Sequence, residues 1–316
     1  MWQPNCSQST LKARAGCYSQ IRAFFDSRGI IEVETPILSH AGATDPHLAS
    51  MTVHSTSCMG AQYLQTSPEF AMKRLLASGS GAIYQLCKTF RADELGQRHN
   101  PEFTMLEWYR PSYDLAALMQ EISELVSHVC DLPKAKIVTY KHVFQKHFSI
   151  NPFSSTDEVL WALVQRSCSF SGEKLDRDAC LDLLLAEHIE PKLGLEAPCF
   201  LTDYPASQAS LAKLKKNEEG DWVAARAELY IQGIEIANAY DELTDAIEQR
   251  KRFELDNVQR LRMGLPHVNI DEHLIQALSH GMPNCAGVAL GVDRLLMIKL
   301  GTDDIQDVLS FSHERA

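Results

Sequence analysis

Apolar residues at Leu11, Ala15, Tyr18, Ile21 and Phe25 recur at helical spacing behind Ser9-Thr10, and Gly29 follows where such a helix stops. The pattern predicts a long amphipathic helix from about Thr10 to Arg28. The run Ile30-Ile31-Glu32-Val33-Glu34-Thr35-Pro36 is rich in strand formers and is closed by a proline, as at a strand end or sheet edge. Short strands are expected at Met51 to Ser55 and Gln62 to Gln65. Ser67-Pro68-Glu69 reads as a helix start, with a serine cap, proline at the first helical position and an acid in the first turn.

A strand from Ala82 to Arg91, a polar loop from Glu94 to Glu102 and a strand from Phe103 to Tyr109 predict a long antiparallel hairpin. Leu115, Leu118, Ile122, Leu125 and Val129 mark another amphipathic helix. From about Leu132 to Ala197 the patterns are helix-like and carry little concentrated polar chemistry, as expected of an insertion. Ala225 to Ile231 and Ile234 to Ala239 form a second hairpin about a two-residue turn, Gln232-Gly233. Helices follow from Asp245 to about Met263 and from Ile270 to Ser279. A short apolar strand, Ala286 to Leu290, leads into a last helix opened by Gly291-Val292-Asp293-Arg294. Hairpins and helices rather than repeated βαβ units predict an α+β fold with an antiparallel sheet.

At 316 residues the chain is long enough for one large catalytic domain with an insertion, or for two lobes. Nine scattered cysteines without a CxxC pair read as reduced thiols of a cytosolic protein. Neither an export leader nor a membrane span is expected. With 41 acidic against 30 basic residues the net charge is −11, which disfavours extensive nucleic-acid contact.

The hairpins concentrate the chemistry. If Arg91 and Asp93 share a face of one strand while Glu107 and Tyr109 share a face of its partner, a cation, two acids and a phenol converge. The loop Arg98-His99-Asn100 would overhang them as a phosphate clamp. Pairing Ile231 with Ile234 makes Glu228 and Glu235 diagonal neighbours, a pair that suits magnesium with substrate phosphate oxygens. Asn238, Tyr240 and Glu242 run at the opposite parity, so sharing that face requires a bulge near Ile236. Gly291 beside a helix start would let an adenine ring approach the backbone, and Arg294 could reach a γ-phosphate. No GxxxxGK[ST] loop is present, so ATP would be held without one.

Together these segments resemble the class II aminoacyl-tRNA synthetases, in the lysyl branch. Gly29 to Leu38 (GIIEVETPIL) resembles motif 1, Phe90 to Tyr109 (FRADELGQRHNPEFTMLEWY) motif 2, and Gly287 to Met297 (GVALGVDRLLM) motif 3, with IEIANAYDELTDA from Ile234 to Ala246 between them. The resemblance implies an antiparallel sheet flanked by helices and a homodimer formed through motif 1. It implies that Arg91 holds the substrate carboxylate and α-phosphate, that Ala92, Asp93, Arg98, His99, Asn100, Glu235, Ile236 and Gly291 line the ATP site, and that Arg294 takes the γ-phosphate. Glu228 and Glu235 match the metal ligands. Ser67, Pro68, Glu69, Glu107, Tyr109, Asn238, Tyr240, Glu242 and Ala289 match the lysine pocket. A pocket with three glutamates independently suits a substrate with two ammonium groups and repels aspartate.

Two features depart from the tRNA-charging pattern. Only one predicted helix precedes the motif 1-like run, where those enzymes carry an anticodon-reading OB-fold. Ala289 stands where they have glycine. The resemblance is therefore closest to the elongation factor P lysine ligase family, stand-alone paralogues that attach lysine, (R)-β-lysine in that family, to a lysine side chain of elongation factor P. Asp93 also replaces the family's glutamate, with Glu94 beside it. A truncated lysyl-tRNA synthetase, another adenylate-forming relative such as an asparagine synthetase, and a catalytically inactive regulatory paralogue are the competing readings.

Overall fold

A computed structural model describes residues 2–54 and 61–316; Ser55, at the end of an expected strand, and Cys58 lie outside them. Helix α1 (Gln8–Asp26) starts earlier than the apolar spacing suggested, because Ser7 supplies the cap, its Oγ accepting from the Thr10 amide at 3.2 Å. Its buried stripe is Cys17, Ile21, Phe24 and Phe25, whereas Leu11 points outward. Gly29 (φ +65°) turns the chain into β1 (Ile31–Glu32). Next comes a small sheet of β2 (Leu38–Ser39), β3 (Thr52–Val53) and β4 (Gln62–Leu64), with β4 in the middle.

Helix α2 (Glu69–Ala77) begins where Ser67-Pro68-Glu69 predicts, with a shift: Pro68 holds the cap position and Ser67 Oγ accepts from the Glu69 amide at 3.0 Å. The hairpin of β5 (Ile83–Phe90) and β6 (Glu102–Pro111) runs in continuous antiparallel register from Ile83↔Tyr109 to Phe90↔Glu102. Helix α3 (Leu115–Cys130) buries all five apolar positions that predict it.

The segment expected to be helical is mixed. Strand β7 (Lys136–Thr139) precedes α4 (Tyr140–Phe148), α5 (Asp157–Ser167) and α6 (Arg177–Leu184), because Lys136-Ile137-Val138-Thr139 pairs in parallel with β8 (Cys199–Pro205). Then come β9 (Leu214–Lys216), β10 (Trp222–Ile231) and β11 (Ile234–Asp241). The β10–β11 turn is made by Gln232 and Gly233, both at positive φ, the mirror-image turn that suits the twist of paired strands. Asp245 caps α7 (Ala246–Arg262), Asp271 caps α8 (Glu272–Gly281), and β12 (Cys285–Gly291) runs into α9 (Val292–Leu300).

The chain divides into two compact units, one of Met1–Asp114, His128–Cys130 and Glu242–Ala316, the other of Leu115–Ser127 and Asp131–Asp241. In the first, the strands lie in the order β1-β5-β6-β12, with β1 parallel to β5 and the others antiparallel. Helix α1 lies against this sheet, with Phe25 stacked on Tyr84 at 4.4 Å and edge-on to the buried Trp108 at 5.3 Å. In the second the order is β11-β10-β8-β7, with β9 also on β10. There the expected insertion shares a core with the strands: Tyr140, Phe144, Leu160 and Leu181 pack in one cluster with Leu201, Tyr204 and Tyr230. Both units pair antiparallel strands with helices, the α+β architecture expected. Among the described residues no two cysteines are joined by a disulfide, and no helix is long and apolar enough to cross a membrane.

Candidate active site

In the first unit, strand alternation puts Glu107 and Tyr109 on one face of β6, and the register sets small residues beside them on β12, Ala289 opposite Glu107 and Gly287 opposite Tyr109. The Glu107 carboxylate is 2% exposed and accepts from Tyr109 Oη and Ser67 Oγ, each at 2.7 Å. Glu69 opens α2, and Glu242 is tied to β12 through its amide, which donates to the Cys285 carbonyl at 3.0 Å. Burial, then the negative charges of Glu69 and Glu242, push the Glu107 carboxyl up to about 8 against the hydrogen bonds from Ser67 and Tyr109. The three expected glutamates thus face one electrostatic environment.

That environment holds a cation the sequence reading missed. Lys73, 1% exposed, places its ammonium 2.6 Å from Glu69 and 2.6 Å from Glu242. Helical spacing makes Glu69 and Lys73 neighbours one turn apart. The bond to Glu242 comes from a residue distant in the chain. Gly287 is the other missed residue. A Cβ there would come within 2.4 Å of Glu242 Oε1 and 2.4 Å of Tyr109 Cε1, so only glycine lets both side chains lie against the strand. At Gly291 a Cβ would meet only the Arg294 side chain, at 3.8 Å, so close backbone approach is required at Gly287 instead.

The phosphate-clamp residues gather at the β5–β6 loop, with a correction. Strand β5 ends at Phe90, so Arg91 and Asp93 do not share a strand face: the Arg91 amide still donates to the Pro101 carbonyl at 2.9 Å, but the chain then turns at Ala92-Asp93 and leaves Asp93 exposed. The Ala92 amide donates to the Ala49 carbonyl. Arg91 instead ion-pairs with Glu94 at 2.8 Å and lies over the Phe103 ring at 5.1 Å, with its Nε buried and without a hydrogen-bond partner. Arg294, from the start of α9, donates to the Arg98 carbonyl and, through Nη2, to His99 Nε2 at 2.6 Å. Burial and the Arg294 charge lower the His99 pKa and keep the ring neutral, as an acceptor must be. Asn100 differs from expectation. Its buried amide donates to the Glu102 carbonyl and accepts from the His313 amide, bracing the loop rather than facing a ligand.

In the second unit, β10 and β11 pair Ile231 with Ile234 and Tyr230 with Glu235, then shift register so that Leu229 meets Ala237 and Glu228 meets Asn238. The extra residue is Ile236, the bulge position the parity required. The shift puts Arg226, Glu228 and Tyr230 of β10 on the same face as Glu235, Asn238 and Tyr240 of β11. Glu228 is buried and accepts from Arg226, Tyr204 and Tyr230. The Glu190 carboxyl lies 3.1 Å from the Tyr230 hydroxyl oxygen, whose one proton goes to Glu228 at 2.6 Å. Burial, then the charges of Glu228 and Glu235, push the Glu190 carboxyl up to about 7. Glu228, whose carboxylate pairs with Arg226, and Glu235 both act on the Glu190 carboxyl, an accumulation of acidic groups of the kind that suits a divalent cation.

A family model described as tRNA synthetases class II (D, K and N) matches residues 2–315. The elongation factor P--(R)-beta-lysine ligase of Edwardsiella ictaluri is 47% identical over 321 residues, covering 100% of this chain and 98% of its own length. Proteins of the same name from Avibacterium paragallinarum and Pasteurella multocida are 46% and 47% identical, each over 319 residues with the same coverage. With that match along its length, the chain belongs to the family of class II tRNA synthetases (D, K and N).

Proposed function

We propose that this protein activates lysine, in the (R)-β form, with ATP and transfers it to a lysine side chain of elongation factor P. The observation that carries the reading is the convergence of Glu69, Glu107 and Glu242 around Tyr109 in the first unit, an anionic pocket suited to a diamino acid. Ala289, in register with Glu107, narrows that pocket by one methyl relative to glycine.

The substrate carboxylate attacks the α-phosphorus of ATP; the new P–O bond forms as the bond to pyrophosphate breaks, giving the aminoacyl-adenylate. The amine of the acceptor lysine then attacks the carbonyl, forming the amide as AMP leaves and a proton is released. Arg91 orients the carboxylate and α-phosphate, and Arg294 with Arg98 and His99 holds the outer phosphates, by positioning and charge stabilisation. Asp93 contacts ATP from the exposed turn. Glu228 and Glu235 would hold a magnesium ion, which would supply neutralisation of phosphate charge when bound. Exposed Ile31, Ile37 and Leu38 on the motif 1 segment support a homodimer through that edge.

Pyrophosphate exchange with α-lysine and (R)-β-lysine, followed by mass measurement of elongation factor P and of total tRNA, tests the reading. Exchange favouring β-lysine with one lysyl mass added to elongation factor P is the expected result; charged tRNA with unmodified elongation factor P overturns it.

Glu107 gives this binding a pH dependence. A cationic ligand favours the ionised carboxylate, so binding below about pH 8 releases a proton, and lysine affinity should rise from pH 6.5 to 8 by up to about tenfold per unit and then level off. Calorimetric titration in two buffers of different ionisation enthalpy reads the released proton directly. Glu107→Gln should abolish that release, and an unchanged pH slope in this variant would assign the dependence to another group.

A further inference from the structure

In the second unit, α5 stops at Ser167 and Cys168 takes extended backbone (φ −103°, ψ 151°). Helix α6 does not stop at Leu184 but widens into a π turn, Leu185–Ile189, which carries Glu187 and His188. Such turns are rare and occur frequently at functional sites. Here the two consecutive side chains grip the α5 terminus on either side of Cys168. His188 Nε2 lies 2.8 Å from the Ser167 carbonyl oxygen, and the Glu187 carboxylate accepts from the Ser169 amide at 3.2 Å. Between these anchors, Cys168 Sγ, a Glu187 carboxylate oxygen and a His188 ring nitrogen all lie within 4.8 Å of one another. Among the described residues this is the only group of three such side chains that meets that distance.

We infer that Cys168, Glu187 and His188 form a binding site for one zinc-class divalent cation, with a water completing the coordination. The donor set selects the metal: a thiolate and an imidazole favour zinc over magnesium or calcium, and three protein ligands plus water is a standard zinc arrangement. Tetrahedral bonds of about 2.0–2.3 Å put ligand atoms about 3.3–3.6 Å apart, so the three side chains need to close by about 1 Å, within reach of their torsions.

The surroundings favour the same assignment. The Ser167 carbonyl anchors the His188 ring as backbone carbonyls do behind metal-bound histidines, and Phe148 packs edge-on against that ring at 5.7 Å. Glu187 is exposed while Cys168 and His188 are half-buried, so the site is open to solvent on the carboxylate side. A bound ion would staple the end of α5 to the π turn, which continues directly into Glu190, the neighbour of Tyr230. The scattered cysteine spacing gave no hint of this, since Cys168 and His188 are twenty residues apart and meet only through the return of α6.

The test uses the full chain, stripped with a chelator and titrated with zinc and, separately, with cobalt as a spectroscopic probe. One equivalent should bind, raise the melting temperature, and give the thiolate-to-cobalt charge-transfer band. Cys168→Ser and His188→Gln should each weaken binding at least tenfold and remove or diminish that band, while keeping the melting temperature of the metal-free wild type and the lysine-dependent exchange rate. Failure to bind one equivalent overturns the inference. Binding that persists unchanged in the Cys168→Ser, His188→Gln double variant also overturns it, by assigning the metal to other thiols.

Discussion

Replacing Lys73 with methionine should destabilise the protein by about 3–5 kcal/mol, the penalty for removing one partner of a buried ion pair. Burial alone would lower the ammonium's pKa, but the charges of Glu242 and Glu69 outweigh it and hold Lys73 protonated well above the ordinary lysine range. Methionine fills similar volume and leaves those two carboxylates facing each other with Glu107 nearby, so protons must be taken up or the pocket must open. Against a total stability of about 5–15 kcal/mol, the urea midpoint should fall markedly. Lys73→Arg, which keeps the charge, should lose less. Adding Glu69→Gln to Lys73→Met should restore part of the loss, because one unpaired charge goes with it. A Lys73→Met midpoint equal to wild type would show that the pair contributes nothing net.

The same variant separates stability from the lysine reading. With the internal ammonium gone, the pocket carries one more negative charge, so added lysine should raise the midpoint of Lys73→Met more than that of wild type. Equal shifts would mean that Lys73 and the ligand do not share the carboxylates' field.

What was legible in the sequence is what local chemistry sets. Asp245 and Asp271 cap α7 and α8, the positive φ values of Gln232 and Gly233 close the β10–β11 turn, and the parity conflict along Ile234 to Glu242 located the bulge at Ile236. The sequence reading went astray where a distant partner decides. Lys136 to Thr139 is a strand because β8 is there to pair with it, although the surrounding pattern is helical. Arg91 leaves the strand because the loop turns at Ala92-Asp93. Asn100 braces that loop because His313, 213 residues along the chain, presents its amide. The role of Lys73 depends on Glu242, which no spacing rule connects to α2.

Arg91→Ala should lower lysine-dependent pyrophosphate exchange about 10²–10³-fold, the scale of losing one preorganised donor at developing charge, with little change in fold. Three contacts hold this side chain where it can act: the backbone bond to Pro101 fixes its Cα, Phe103 supports the guanidinium face, and Glu94 holds Nη1. They leave Nε buried without an acceptor, an arrangement that is costly in the free protein and is relieved when a carboxylate or phosphate oxygen arrives. Arg91 is only half-buried, so alanine should shift the melting temperature little, and the loss should fall on kcat rather than on nucleotide affinity. Arg91→Lys keeps the charge but not the planar fork and should recover only part of the rate. Glu94→Gln loosens the guanidinium without removing it and should cost less than either. A loss below tenfold for Arg91→Ala would move the charge-stabilising role to Arg294, whose contacts with Arg98 and His99 make it the next cation to replace.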